Sequence, residues 1–273
     1  MSNLVQRFLT AVVAIPLLIA SINWGQPYGV WLWVLFAQIA GLREWMNMTM
    51  PKEPVFDRAF GVVVGVALGS LICWVPDTRA LLGGIWGSTI ACFLFFLFRY
   101  RPIETVAVRV AAALCGIFYA GLLISPLMMF KLRAAGDGAA WIYICLSSAW
   151  LSDTGAYFAG RFLSPFIPAK LWPAISPKKT MIGGVGGLLG SLASLAVAKL
   201  WYLPALSWLD VVCIAVPANI LGQLGDLCES LIKRSVGVKD SGVLLPGHGG
   251  MLDRIDALLL VVPYVYLYAQ LRF

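Results

Sequence analysis

Between Gly225 and Asp256 the chain reads "GDLCESLIKRSVGVKDSGVLLPGHGGMLDRID", an unusual density of charge for an otherwise apolar sequence. Asp226, Glu229 and Lys233 are spaced i, i+3, i+7, so on a helix they share a face. Asp253 and Asp256 are spaced i, i+3 at the start of the next apolar run. Asp153, in "LSDTGAYFAGR", lies toward one end of another such run. Clustered carboxylates suit a hard divalent cation such as Mg²⁺, which takes one or two carboxylates and completes its shell with water and substrate phosphates. Lys178 and Lys179 in "PAISPKKT" offer charge for a phosphate, and "PGHGG" (246–250) offers backbone amides unshielded by side chains. Acids for a metal, lysines for phosphate and a bare glycine loop are the parts of a phosphoryl or nucleotidyl transfer site. The competing reading is structural: the same acids pair with Lys233, Arg234 and Arg254 and lock helices together. His248, the only histidine, does not by itself mark a base. No G-x-S-x-G, H-E-x-x-H or Walker A pattern occurs.

The elements that must hold these residues are membrane helices. Of the 273 residues 60% are hydrophobic and only 12% charged, and the mean hydropathy is +0.86. Apolar runs of roughly 18 residues recur from end to end, the pattern of a polytopic all-α membrane protein. About nine spans are expected, near 4–22, 27–42, 59–75, 80–98, 106–130, 139–160, 182–201, 207–229 and 256–271. The first run lacks a small-residue cleavage site and reads as a retained helix. With the N-terminus in the cytoplasm, fifteen of the twenty Lys and Arg residues fall on the cytoplasmic side. Both polar loops, 161–181 and 230–255, then face the cytosol. Six scattered cysteines without a C-x-x-C spacing read as core residues. The run "GGVGGLLG" (183–190) reads as a close helix–helix contact and not as a dinucleotide loop. The net charge of +7 suits an anionic lipid surface or a phosphorylated substrate, and nothing points to nucleic acid.

"SLIKRSVGVKDSGVLLPGHGGMLDRID" (230–256) resembles the signature of the phosphatidate cytidylyltransferases, or CDP-diacylglycerol synthases, at every fixed position. "SDTGAYFAGR" (152–161), "SPKKT" (176–180) and "GQLGDLCESLIKR" (222–234) resemble further blocks of that family in the same order. The likeness is dense over about 140–260, whereas the N-terminal half resembles the family only as a set of spans. One position departs: Ile182 stands where the family pattern has an acid.

The resemblance implies a reaction, CTP plus phosphatidate giving CDP-diacylglycerol and pyrophosphate with one or two Mg²⁺. It implies Asp226, Asp253 and Asp256 as metal ligands and Asp153 as a metal or nucleotide contact. Lys178, Lys179, Lys233, Arg234 and Lys239 would neutralise phosphates, with His248, Gly247, Gly249 and Gly250 shaping the loop. Residues 136–273 are expected to carry catalysis and 1–135 to supply membrane helices. A bacterial inner membrane, a cytoplasmic active site, the bilayer as surroundings and a homodimer belong to the same expectation. Two other readings compete: a CTP-dependent lipid kinase, and a carrier whose acids form an ion pathway. A CDP-alcohol phosphotransferase lacks support because its D-x2-D-G-x2-A-R pattern is absent.

Overall fold

The computed structural model describes residues 3–75, 77–133, 137–244 and 249–273. Ten α-helices account for most of them: α1 (Asn3–Asn23), α2 (Gln26–Thr49), α3 (Val55–Trp74), α4 (Thr78–Phe98), α5 (Val106–Gly116), α6 (Pro126–Arg133), α7 (Gly138–Leu163), α8 (Met181–Trp201), α9 (Trp208–Ser235) and α10 (Leu252–Arg272). The helical form follows from composition: in lipid every backbone N–H and C=O must be bonded within its own segment. Each expected span overlaps helical structure, that at 106–130 falling on α5, a π-helical stretch and α6. Among the described residues five helical segments are long and apolar enough to cross a membrane: Val55–Trp74, Thr78–Phe98, Ile103–Leu132, Met181–Trp201 and Trp208–Ser235. The chain is therefore an integral, all-α membrane protein. Within Ile103–Leu132 the helix is irregular, with a π-turn at Ile117–Leu122 between α5 and α6.

Two expectations change in detail. Helix α2 continues about two turns beyond residue 42, to Thr49, and so carries Glu44 on a helix instead of in a loop. The loop expected over 161–181 contains an antiparallel hairpin, β1 (Lys170–Trp172) and β2 (Ser176–Thr180), in register Lys170↔Thr180 and Trp172↔Ser176. With only two strands both edges are open, so Pro177 removes no ladder bond that a third strand would need.

The chain divides into two compact units. One comprises residues up to Met129 together with Val236–Ile255; the other comprises Phe130–Ser235 and Asp256–Phe273.

In the first unit, α2 meets the π-turn through polar contacts that an apolar interior makes specific. The Gln38 amide donates to Gly121 O at 2.8 Å and to Ser125 Oγ at 3.1 Å, and Trp45 Nε1 donates to Ala112 O at 2.9 Å.

In the second unit, α7 and α8 pack backbone against backbone. A Cβ on Gly186 would strike Ala159 Cβ and Gly155 O, and one on Gly190 would strike Leu151 O. The glycine run is thus a helix contact, as its spacing suggests. A polar ladder adds α9: Ser152 Oγ donates to Asn219 Oδ1 at 2.8 Å, and Gln223 Nε2 donates to the same oxygen at 3.0 Å.

Helices α9 and α10 run antiparallel. At one end Ser207 and Asp210 form a reciprocal cap, with Ser207 N donating to Asp210 Oδ2 at 2.8 Å and Asp210 N donating to Ser207 Oγ at 3.1 Å. The same buried aspartate accepts from Tyr268 Oη at 2.6 Å and Arg272 Nε at 3.1 Å, which fastens the start of α9 to the end of α10.

Candidate active site

That clamp sets the level at which the opposite ends of α9 and α10 meet. There the two helices touch at Gly225: a Cβ at that position would lie 2.5 Å from Asp256 O and 3.3 Å from Ala257 Cα. Only a residue without a side chain permits this approach, and its neighbour Asp226 is carried to the level of Asp256. Asp256 is partly buried, and its carboxyl group feels the charges of Asp226, Glu229 and Asp153. Asp153 on α7 and Asp226 and Glu229 on α9 therefore each bear on Asp256 of α10 within the second unit.

The hairpin delivers the matching cation. Successive residues of a strand point to opposite sides, so Lys178 and Lys179 diverge. Lys179 turns inward: its Nζ lies 2.6 Å from Asp226 Oδ2 and donates to Gln223 O at 3.3 Å. Lys178 is exposed. The other oxygen of Asp226 accepts from Ser230 Oγ at 3.2 Å. Directly after β2, Thr180 caps α8, its Oγ1 accepting from Gly183 N at 3.1 Å, so hairpin and helix hold a fixed relation. Ile182, at the departing position, occupies the first turn of α8.

Lys233 and Glu229 form a buried ion pair along α9, Nζ to Oε2 at 2.8 Å. One turn apart and both shielded from water, they offset each other, and removing either leaves a costly uncompensated charge. Arg234 and Lys239 are exposed beyond them.

The donor set is all carboxylate oxygen, the preference of a hard cation such as Mg²⁺. Of these acids, Asp226 pairs with Lys179 and Glu229 with Lys233. Among the described residues no three such side chains stand close enough together to form a ready-made coordination shell.

Asp253 has a local partnership of its own in the first unit. Its Oδ2 accepts from Gly250 N at 2.8 Å, from Ser241 N at 3.0 Å and from Ser241 Oγ at 3.0 Å. It thereby joins the two ends of the 241–250 segment. Gly249 has φ +80°, a conformation disfavoured for side-chain-bearing residues, and a Cβ there would lie 2.7 Å from Asp253 Oδ2. Gly247 and His248 lie outside the described residues.

Sequence reasoning missed Glu44. This buried residue on α2 accepts from Met251 N at 2.8 Å, Leu252 N at 2.9 Å and Ser241 Oγ at 3.0 Å. Its carboxylate satisfies unpaired donors at the N-terminus of α10, the end where a negative charge is favoured. A lone acid in the apolar stretch "AQIAGLREWMNM" was the available signal; its partner lies some 200 positions away, which no local pattern reveals.

The sequence profile described as "Cytidylyltransferase family" matches residues 5–272. The chain belongs to the cytidylyltransferase family. A phosphatidate cytidylyltransferase of Staphylococcus saprophyticus is 36% identical over 259 residues, covering 94% of this chain and 95% of that protein. A Brucella suis protein of the same name is 34% identical over 275 residues, covering 99% and 95%. One from Staphylococcus haemolyticus is 35% identical over 267 residues, covering 94% and 95%. The match to this family takes in the N-terminal helices as well as the charged C-terminal blocks.

Proposed function

We propose that this cytidylyltransferase moves CMP from CTP to phosphatidate, giving CDP-diacylglycerol and pyrophosphate in phospholipid synthesis. The near full-length similarity to proteins named for that reaction supports this reading over a lipid kinase or carrier. The single structural observation behind it is the meeting of Asp226 and Asp256 across Gly225, with Lys179 on Asp226.

In the reaction a phosphate oxygen of the lipid attacks the α-phosphorus of CTP. The bond from that phosphorus to the oxygen bridging to the β-phosphate breaks, and pyrophosphate leaves with the electron pair. The attacking oxygen is already ionised at neutral pH, so no strong general base is required. Repulsion between two polyanions is the obstacle, and bound Mg²⁺ supplies charge neutralisation when present. Asp226 and Asp256 would hold the ion, with Asp253, three residues before Asp256, as a further ligand. Lys179 passes from Asp226 to the incoming phosphates, Lys178, Arg234 and Lys239 attract them from solvent, and Lys233 works from its pair with Glu229. Asp153 adds a metal or nucleotide contact, and His248 with Gly247, Gly249 and Gly250 shapes its own loop. Nine helices span a bacterial inner membrane with the N-terminus and the site on the cytoplasmic side, where lipid headgroup and CTP meet.

The test supplies purified protein with phosphatidate, radiolabelled CTP and Mg²⁺, and follows label into chloroform-extractable lipid together with released pyrophosphate. Transfer by the wild type, lost in Asp226→Asn, is expected. Absence of labelled lipid with substrates and metal verified overturns the assignment.

A further inference from the structure

A groove of about 440 Å³ lies between α2 and α3 in the first unit, and its lining includes no residue assigned to transfer above. Its lining follows helical spacing. Ile39, Arg43 and Asn47 recur every fourth residue on α2, as do Val55, Ala59 and Val63 on α3. Polar and apolar residues separate along its length. Arg43, Asn47 and Arg58 lie toward the connection between the helices, while Ile39, Val62 and Val63 lie toward the other end.

Among the described residues, the positive charge at the polar end has no carboxylate partner. Asn47 Oδ1 accepts from Arg58 Nη1 at 2.8 Å, which holds the guanidinium at the groove. Arg58 Nε is shielded from solvent and has no hydrogen-bond partner among the described residues. An unmade bond at a buried donor is costly, more so on a charged group. Arg43 is exposed and, among the described residues, has neither an ion pair nor a hydrogen bond. No carboxylate lines the groove. The apolar end is equally open, with Val63 66% exposed on a helix apolar enough to cross a membrane.

We propose that this groove binds one anionic glycerophospholipid, its phosphate between Arg43 and Arg58 and one acyl chain along Ile39, Val62 and Val63. The charge selects the headgroup, the apolar wall selects the chain, and a phosphate oxygen accepts from Arg58 Nε. A neutral headgroup leaves both arginines uncompensated, and a water-soluble phosphate leaves the apolar wall bare. The proposal does not rest on the transferase reading, because the groove shares no residue with the carboxylate cluster.

The test is native mass spectrometry of the full-length protein in detergent micelles, titrated separately with dioleoyl phosphatidylglycerol, dioleoyl phosphatidate, dioleoyl phosphatidylcholine and glycerol 3-phosphate. The wild type is expected to retain one molecule of phosphatidylglycerol in preference to phosphatidylcholine, and a second phosphatidate beyond the one its transferase site takes. The Arg43→Gln/Arg58→Gln double variant should lose that preference by roughly 25-fold, about fivefold for each arginine near an anionic group. Ala59→Trp, which fills the groove without touching its charge, should lose retention of phosphatidylglycerol and of the second phosphatidate. It keeps the test decisive if the double variant does not fold. Equal retention of phosphatidylcholine, full retention by a folded variant, or glycerol 3-phosphate binding as tightly as the lipids would each overturn the proposal.

Discussion

Gly225 on α9 and Asp256 on α10 touch through their backbones, with room for a hydrogen and for nothing larger. Asp226 and Asp256 share a level because of that contact. Replacing Gly225 with Ala puts a carbon 2.5 Å from Asp256 O, and since a backbone carbonyl cannot swing aside, the helices must part. Displacement of catalytic groups by about 1 Å can cost on the order of 100-fold in rate. We expect Gly225→Ala to lose transferase activity by roughly 10- to 100-fold while keeping its elution volume in size-exclusion chromatography. Wild-type turnover from this variant would show that the approach does not set the site.

If Asp226 holds a metal ion as proposed, Lys179 competes with that ion for it. The ammonium lies 2.6 Å from Oδ2, so removing it frees that oxygen. Lys179→Gln is expected to lower the Mg²⁺ concentration at half-maximal rate and also to lower the maximal rate, since phosphate loses a cation. Asp226→Asn should move the Mg²⁺ requirement the other way and reduce the rate on the order of 100-fold. Rates across an Mg²⁺ titration at saturating CTP read both directions, and a Lys179→Gln enzyme needing more metal contradicts the competition.

Glu44 is expected to matter for stability before chemistry. Glu44→Ala strips two donors of their acceptor, Met251 N and Leu252 N, and leaves Ser241 Oγ with Asp253 alone. The cost of such a loss is about 1–3 kcal/mol, more where the acceptor was charged. Glu44→Gln keeps one oxygen and should lose less. Thermal unfolding in detergent, followed by a thiol-reactive dye, should rank wild type above Glu44→Gln above Glu44→Ala. An unchanged midpoint in both variants would deny the cap its role.

Gly186 tests the α7–α8 contact independently of the site. A side chain there meets Ala159 and the Gly155 carbonyl on the facing helix. Gly186→Val is expected to lower the apparent melting temperature by several degrees, as overpacking by about 1–3 kcal/mol would. If melting is unchanged, the glycines are not what brings these helices together.

Much of the architecture was legible without coordinates because a bilayer leaves a chain few choices. Runs of apolar residues long enough to span must satisfy their own backbone, so composition alone placed the helices. Chemistry-bearing residues were legible for a related reason: charge is costly in such a sequence, so Asp226, Asp256 and Lys179 stand out wherever they occur. Hairpin geometry was not legible, because "SPKKT" is too short and polar to carry a strand period, yet pairing with 170–172 is what separates Lys179 from Lys178. Nor was Glu44, whose helix runs past the point where apolar character ends. What only the tertiary structure decided is which charges meet. The Asp210 clamp fixes how α9 and α10 align, Gly225 fixes how closely they approach, and Glu44 reaches donors remote in the chain. Each depends on distance in space between residues far apart in sequence, a quantity that periodicity along one helix does not contain.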